Sequence, residues 1–297
     1  MDQAEKIYAV KQMQDYITEH LTETITLKQL ADIAGYSPWH AAKIFKEITG
    51  KAPFDYIRML RLTKAAQMLR DQKTRVLDVA LDFVFDSHEG FTRAFTKNFG
   101  ISPKRYQKDA PPIPFFMPED VYLVYLQFNK GGTNMNAEKT SAIFVQVVER
   151  PERKALIKRG IKADEYFAYC EEVGCDIWGV LCSVKEALYE PVGMWLPKNM
   201  IKEGTSEYVQ GVEVPLNYDK EIPEGFELIS LPACKYMIFQ GEPYEEEKMG
   251  EAVGLVWDKI NHFNPSIYGY EFAPEAGPRF QLAPIGYRGY IEGRPVR

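Results

Sequence analysis

Histidine and cysteine are scarce in this chain of 297 residues, four of each, and no apolar run approaches the length that a bilayer requires. Cys170, Cys175, Cys182 and Cys234 form no C-x-x-C pair, and the nearest histidine in the chain, His262, is distant. That pattern excludes the usual zinc sites and leaves reduced, buried thiols as the reading, with a redox sensor as the minor alternative. Neither a metal-ligand set nor a nucleophile-base pair stands out, so no cofactor and no catalytic residue is expected. The opening MDQAEKIYAV has no basic start and no apolar signal core, and the expected location is the cytoplasm, with no membrane partner.

Excess positive charge is also missing: the whole chain carries −6. The deficit is uneven. Residues 1–108 hold 17 Lys plus Arg against 13 Asp plus Glu, net +4, and the remainder holds 19 against 29, net −10. A modestly basic half suits phosphate contacts, whereas an acidic half repels DNA and tolerates cations.

What is present is one structural sentence written twice. TLKQLADIAGYSPWHAAKIFKEITGKAPFDYI occupies 26–57, and at a shift of 50 Ser87 falls under Ser37, Arg93 under Lys43, Phe95 under Phe45, Gly100 under Gly50, Pro103 under Pro53 and Tyr106 under Tyr56. Upstream of the turn the shift is 49, pairing Ala80 with Ala31 and Val79 with Leu30, so the second turn contains one added residue. Thr26 and Gln29 form a capping-box pattern, Gly35 supplies a permissive turn, and Ser37 followed by Pro38 restarts the chain as a helix. Each copy therefore predicts a helix-turn-helix. A single such pair is common in helical domains that bind nothing. Two copies with a cation at the same place in each second helix point to DNA, because two such helices can enter successive major grooves about 34 Å apart.

The first reading helix offers Trp39, Ala42 and Lys43; the second offers His88, Glu89, Thr92 and Arg93. Arg grips guanine bidentately, Glu accepts from cytosine, and Thr meets polar edges or the thymine methyl. Between the two, 54–69 carries Ile57, Leu60, Leu62, Ala65, Ala66 and Leu69 at helical spacing, predicting a long helix that holds both heads on one frame. Ile7, Val10, Met13, Ile17 and Leu21 predict an amphipathic first helix ending near Thr22.

FDSHEGFTRAFTKNFGISPKRYQ and GYSPWHAAKIFKEITGKAPFDYIRMLRL resemble the two halves of the DNA-binding domain of the AraC/XylS family of bacterial transcription factors, over residues 8–108. The resemblance implies double-stranded DNA as a partner, and RNA polymerase as a further one. One departure is Val84, where the family usually has glycine. A β-branched residue resists positive φ, so a tilted reading head or a rebuilt turn is expected there.

After Lys108 the text changes to DAPPIPFFMPED, whose prolines deny helix and central strand. The expected organisation is multidomain: an all-α double helix-turn-helix domain over 1–108, a proline-rich linker and connecting segment over 109–139, and an α+β domain over 140–297. A strand is expected at 121–128 and a loop through NKGGTNMNAEK. In the α+β half, PERKALIKRG and PACKYMIFQG share Pro, Lys, Ile and Gly at a shift of 81, each leading into a helix with Trp178 or Trp257 near its end. A duplicated strand-helix-strand unit is expected, with a cleft between the copies.

That half resembles the GyrI-like effector-binding domain of multidrug-responsive regulators, on the duplicated unit, on Tyr-Gly-Tyr-Glu ending at Glu271, and on the closing Tyr290-Ile-Glu-Gly-Arg-Pro-Val. The domain order resembles that of AraC-family members that carry an effector-binding domain after the DNA-binding one. The resemblance implies Glu271 as the carboxylate of a cleft that takes a small cationic or amphipathic effector, with Trp195, Tyr268 and Tyr270 supplying ring faces. The expected function is a ligand-adjusted transcription regulator and not an enzyme. The alternatives are hydrolysis of small electrophiles with Glu271 as general base, or binding of a protein partner.

Overall fold

The computed structural model describes residues 3–118, 121, 142–174 and 176–297. The chain divides into two compact units, Met1–Asn134 and Met135–Arg297. Among the described residues no helix is long and apolar enough to cross a membrane.

The first unit contains α1 (Gln3–Glu19), α2 (Leu27–Ala34), α3 (Pro38–Thr49), α4 (Pro53–Asp71), α5 (Val76–Asp82), α6 (His88–Phe99) and α7 (Pro103–Asp109). Local chemistry sets most of these boundaries. The Thr26 N–H donates to Gln29 Oε1 at 2.8 Å while Gln29 N–H donates to Thr26 Oγ1 at 3.3 Å, a closed capping box. Ser37 and Ser87 cap α3 and α6 by accepting from the N–H groups of His40 and Gly90, at 3.4 and 3.0 Å. Both reading helices end on a left-handed glycine, Gly50 and Gly100, each with φ 71°. α4 packs against α3, α5, α6 and α7, which makes it the frame for both heads.

The second turn departs from expectation. Gly35 has φ 70° and Val84 has φ 60°, so the valine takes the left-handed backbone that glycine takes in the first copy. The hydrogen bonds match as well: Gly35 N–H to Asp32 O (3.4 Å) and Tyr36 N–H to Ala31 O (2.9 Å) correspond to Val84 N–H to Leu81 O and Phe85 N–H to Ala80 O, both 3.0 Å. The turn is kept rather than rebuilt, and the added residue, Asp86, falls after it. Neighbouring packing holds the valine there: Phe83 is buried, and Phe85 meets the Phe91 ring edge-on at 5.1 Å.

Residues 110–118 are not a free linker. They run back over the helices, burying Ile113 and Phe115. Phe116 donates its N–H to the buried Thr63 hydroxyl at 2.8 Å and sets its ring edge-on to Tyr56 at 5.1 Å. Proline denied these residues a helix but not burial, because an extended chain can still turn alternate apolar residues inward. The expected boundary after Lys108 is thus earlier than the division between compact units. The strand expected over 121–128, apart from Val121, and the loop over 129–139 lie outside the described residues.

The second unit is an eight-stranded antiparallel sheet with helices on one face. Its strands are β1 (Ile143–Arg150), β2 (Arg153–Arg159), β3 (Val192–Trp195), β4 (Tyr208–Val214), β5 (Glu227–Leu231), β6 (Cys234–Gly241), β7 (Arg279–Leu282) and β8 (Ile291–Val296); its helices are α8 (Tyr166–Val173), α9 (Ile177–Ser183) and α10 (Met249–Asn261). The order is β1-β6-β8-β7-β3-β4-β2-β5. Exchanging β1–β4 with β5–β8 in sequence reverses this order without altering it. Alternation sends Leu156, Val212 and Val214 to a cluster with Leu181 of α9, and Met237 and Phe239 to a cluster with Val256 and Ile260 of α10. Ala155, Ile157, Met194, Ile238 and Phe280 face the other side. Gly293 is required there, since a Cβ at that position would stand 2.4 Å from the Phe280 ring.

Two-residue links, 151–152 and 232–233, carry the chain from β1 to β2 and from β5 to β6. Beside them Glu213 of β4 is buried between Arg150 and Arg153, both buried. Arg150 donates to Glu213 Oε1 at 2.7 Å, Arg153 donates to both oxygens of Glu213, and a further Arg153 N–H group reaches Pro151 O and Pro232 O at 3.1 Å. Burial pulls the Arg153 pKa down, and the Glu213 hydrogen bond and charge more than reverse this, leaving it above the ordinary arginine value.

Two stability measurements check these assignments. Val84→Gly should raise unfolding stability by about 1 kcal/mol, because a left-handed β-branched residue costs of that order. Glu213→Ala should lower it by about 3–5 kcal/mol, the consequence of leaving buried guanidinium groups unpaired.

Candidate nucleic-acid interface and ligand cleft

In α6, Phe91, Phe95 and Phe99 turn inward as a run of touching rings, with centroids 5.6 and 4.8 Å apart. Their spacing forces His88, Glu89 and Arg93 outward, and all three are exposed. In α3, Ala41, Ile44 and Phe45 are buried, Lys43 is exposed, Ala42 is half-buried, and Trp39 is 72% exposed. The Lys43 ammonium stands 5.4 Å from the centre of the Trp39 ring, so these two form one surface rather than separate contacts. Neither Lys43 nor Arg93 has an ion-pair partner among the described residues. Phe45 meets Tyr56 at 5.1 Å and Phe95 meets Tyr106 at 5.8 Å, so an aromatic pair braces each reading helix in the same way.

Thr92 is placed differently from its expected role. Its hydroxyl oxygen is buried and has no hydrogen-bond partner, so the residue does not offer that oxygen to a base edge.

The effector residues expected in the second unit are not brought together. Glu271 lies at the surface, its carboxylate 3.6 Å from Arg297, with both side chains about two-thirds exposed or more. Its backbone pairs with that of Arg297, which fixes it beside the C-terminal strand. Tyr268 is exposed and stacks on Phe263 at 5.8 Å, and Tyr270 packs with the α10 cluster. Trp195 belongs to a separate cluster with Tyr169 and Tyr208. Adjacency in Tyr-Gly-Tyr-Glu does not report which way Glu271, outside any strand, faces.

A second buried carboxylate of this unit, besides Glu213, is Glu292, in the closing segment. Glu292 and Arg294 alternate onto one face of β8, just after Tyr290, and cross-strand pairing sets Gln281 opposite Glu292. Glu292 is 0% exposed. Arg294 Nε donates to Glu292 Oε1 at 2.8 Å; Arg279 Nε stands 2.7 Å from that oxygen as an ion pair without hydrogen-bond alignment, and a terminal Arg279 nitrogen donates to Oε2 at 2.9 Å. Trp257 of α10 donates its indole N–H to Oε2 at 2.9 Å, and the Tyr290 hydroxyl lies 3.0 Å from that same oxygen. Burial pushes the Tyr290 pKa far up, so this hydroxyl stays protonated. Gln281 continues the network, accepting from Tyr290 at 2.9 Å and reaching the Tyr208 hydroxyl at 3.4 Å. The Arg279 guanidinium carbon sits 4.1 Å from the Trp195 ring centre and 5.7 Å from that of Trp257. A Glu-x-Arg spacing in a strand, which places opposite charges on one face, was the sequence signal for this cluster.

Tyr290 also lines an open cleft of about 910 Å³ between α10, the chain before it and the segment joining β7 to β8. Glu242, Glu245, Glu246, Glu247 and Glu251 surround it, with Tyr244 and Tyr287 as aromatic wall. Among the described cysteines, Cys234 is buried, and burial raises its thiol pKa, whereas Cys170 and Cys182 are only half-buried, short of the burial expected of them.

Comparison with known proteins assigns the first unit. The family model described as a helix-turn-helix domain matches residues 30–109. The chain is 37% identical over 134 residues to the Right origin-binding protein of Escherichia coli (strain K12), covering 41% of this chain and 45% of that protein. It is 40% identical over 110 residues to the Transcriptional regulator Rob of Salmonella typhimurium, 37% of each chain. To the Transposon Tn10 TetD protein of Escherichia coli it is 38% identical over 100 residues, 34% of this chain and 72% of that protein. The chain belongs to the AraC family of helix-turn-helix proteins. It spans less than half the length of the first two relatives.

The two glutamates should separate in a stability assay. Glu271→Gln should change unfolding free energy by less than about 0.5 kcal/mol, since exposed pairs contribute little. Glu292→Gln should cost about 3 kcal/mol by unbalancing a buried cluster; equal effects would mean that the two carboxylates are not distinguished by environment.

Proposed function

We propose that this protein is a sequence-specific, DNA-binding transcription regulator in which α3 and α6 each read one half of a bipartite site. The observation that carries this is the equivalence of the two helices: the same serine cap, the same glycine stop, the same aromatic brace, and an exposed cation at the same position, Lys43 and Arg93. The names of relatives, an origin-binding protein and a transcriptional regulator, support it. Lys43, Trp39 and Ala42 form the reading set of α3; Arg93, His88 and Glu89 form that of α6, with Thr92 contributing no hydroxyl. RNA polymerase is the further partner that family membership suggests, and the cytoplasm is the setting.

The second unit, in this reading, is a GyrI-like module that arose from a duplicated unit and binds a small cationic or amphipathic effector. The self-reversing strand order supports the duplication. The glutamate-lined cleft beside Tyr244 and Tyr287 supports the ligand class, because carboxylates and ring faces attract an organic cation together. A ligand adjusts DNA binding only by favouring one of two states, so its effect equals its difference in affinity between them. The hydrolytic alternative has less support, since Glu271 is exposed beside Arg297 and lacks the environment of a general base.

Selection of bound sequences from a random duplex pool tests this, with and without a panel of lipophilic cations. The expected result is two half-sites about one helical turn apart, shifted in affinity by at least one ligand. Arg93→Ala should relax one position by about 1–3 kcal/mol. An unchanged profile would remove Arg93 from the reading set, and absence of enrichment would end the DNA-binding proposal.

A further inference from the structure

We propose that Arg279 is a built-in occupant of a cation site formed by Trp195, Trp257 and Glu292, and that it decides which ligands this unit admits. The inference rests on the reading of the second unit as an effector module, and it concerns the class of ligand at one place within it. The chemistry of the site is displayed by its own contents. A delocalised organic cation, the guanidinium of Arg279, lies over one indole at 4.1 Å and near a second at 5.7 Å, while ion-pairing with a carboxylate that is 0% exposed. Two ring faces and a desolvated carboxylate are what recognises organic cations in general, and here the chain supplies the cation.

Arg279 and Arg294 both reach Glu292 from partly exposed side chains, 30% and 24%, and Arg279 is the one of the two that lies over the indoles. Glu292 itself is fully buried. Departure of Arg279 would not strand Glu292, because Arg294 and Trp257 each keep an N–H donor on one of its oxygens. The short strand β7, four residues with Arg279 at its start, places the guanidinium at the end of the strand rather than within it. An external cation therefore competes with a tethered one already in position. The tether gives Arg279 a standing advantage over any ligand in solution, so the intact protein excludes simple organic cations from this place.

The test is calorimetric titration of the full-length protein with tetraphenylphosphonium, without DNA, so that it does not depend on whether any ligand alters DNA binding. Arg279→Ala should bind this cation about tenfold more tightly than the unsubstituted protein, or better, and Arg279→Lys, which keeps a tethered cation, should not. Adding Trp195→Ala to Arg279→Ala should remove the gain, assigning it to the cage. Thermal melting establishes that each variant is folded, and Arg279→Met, which retains the apolar stem, replaces the alanine variant if that one is not. Equal affinity of the unsubstituted protein and the folded variants would overturn the proposal, as would a gain that persists without Trp195. Failure of tetraphenylphosphonium to change DNA binding would instead count against the effector reading alone.

Discussion

Glu213 is shut away from solvent between Arg150 and Arg153, at the point where the chain passes from β1 to β2 beside its passage from β5 to β6. β1 is one edge of the sheet, and β2 lies next to the other edge, yet only two residues join them. The sheet must curve enough to bring these strands together at one corner. Hydrophobic burial favours any compact solution and does not choose among crossings. A carboxylate that satisfies two guanidiniums does choose, because each wrong crossing leaves buried charge unpaired. Arg153 adds backbone specificity through Pro151 O and Pro232 O, one carbonyl from each link. The rest of the unit, including the face on which Glu292 and Arg279 meet, depends on that corner.

The first unit was legible in its sequence because its signals are local. Serine caps, a following proline and a terminal glycine act within one turn of the chain, and the apolar spacing of Phe91, Phe95 and Phe99 states which face is inward. Val84 shows the limit of such reading. A β-branched residue opposes positive φ, but tertiary packing by Phe83 and Phe85 overrides that preference at Val84. Residues 110–118 show a second limit: proline content indicates what backbone is excluded, not whether Ile113 and Phe115 find a surface to cover.

In the second unit the paired segments at a shift of 81 form β2 and β6, whereas the cluster around Glu292 is assembled from distant parts of the chain. Whether a glutamate is buried depends on partners far along the chain: Glu292 needs Arg279 from β7 and Trp257 from α10, neither of which its neighbours in sequence announce. Glu271 had the more suggestive neighbours and the more exposed position. The closing segment did contain usable information, since charges at alternate positions of a strand must share a face and a buried one must be paired.

Net charge misleads for the same reason. Of the acidic residues that give the second half its −10, Glu213 and Glu292 are neutralised within the fold, whereas Glu242, Glu245 and Glu251 stand at the surface around the cleft. Those carboxylates are exposed, and at physiological salt their field extends about 8 Å. Such a field gathers cations without holding any one of them. Holding requires a partner removed from water, and in this unit the buried carboxylate beside the cleft-lining Tyr290 already has its cation. The exposed carboxylates and the buried one are thus separate in space, and Tyr290 is common to both, lining the cleft and lying 3.0 Å from Glu292 Oε2.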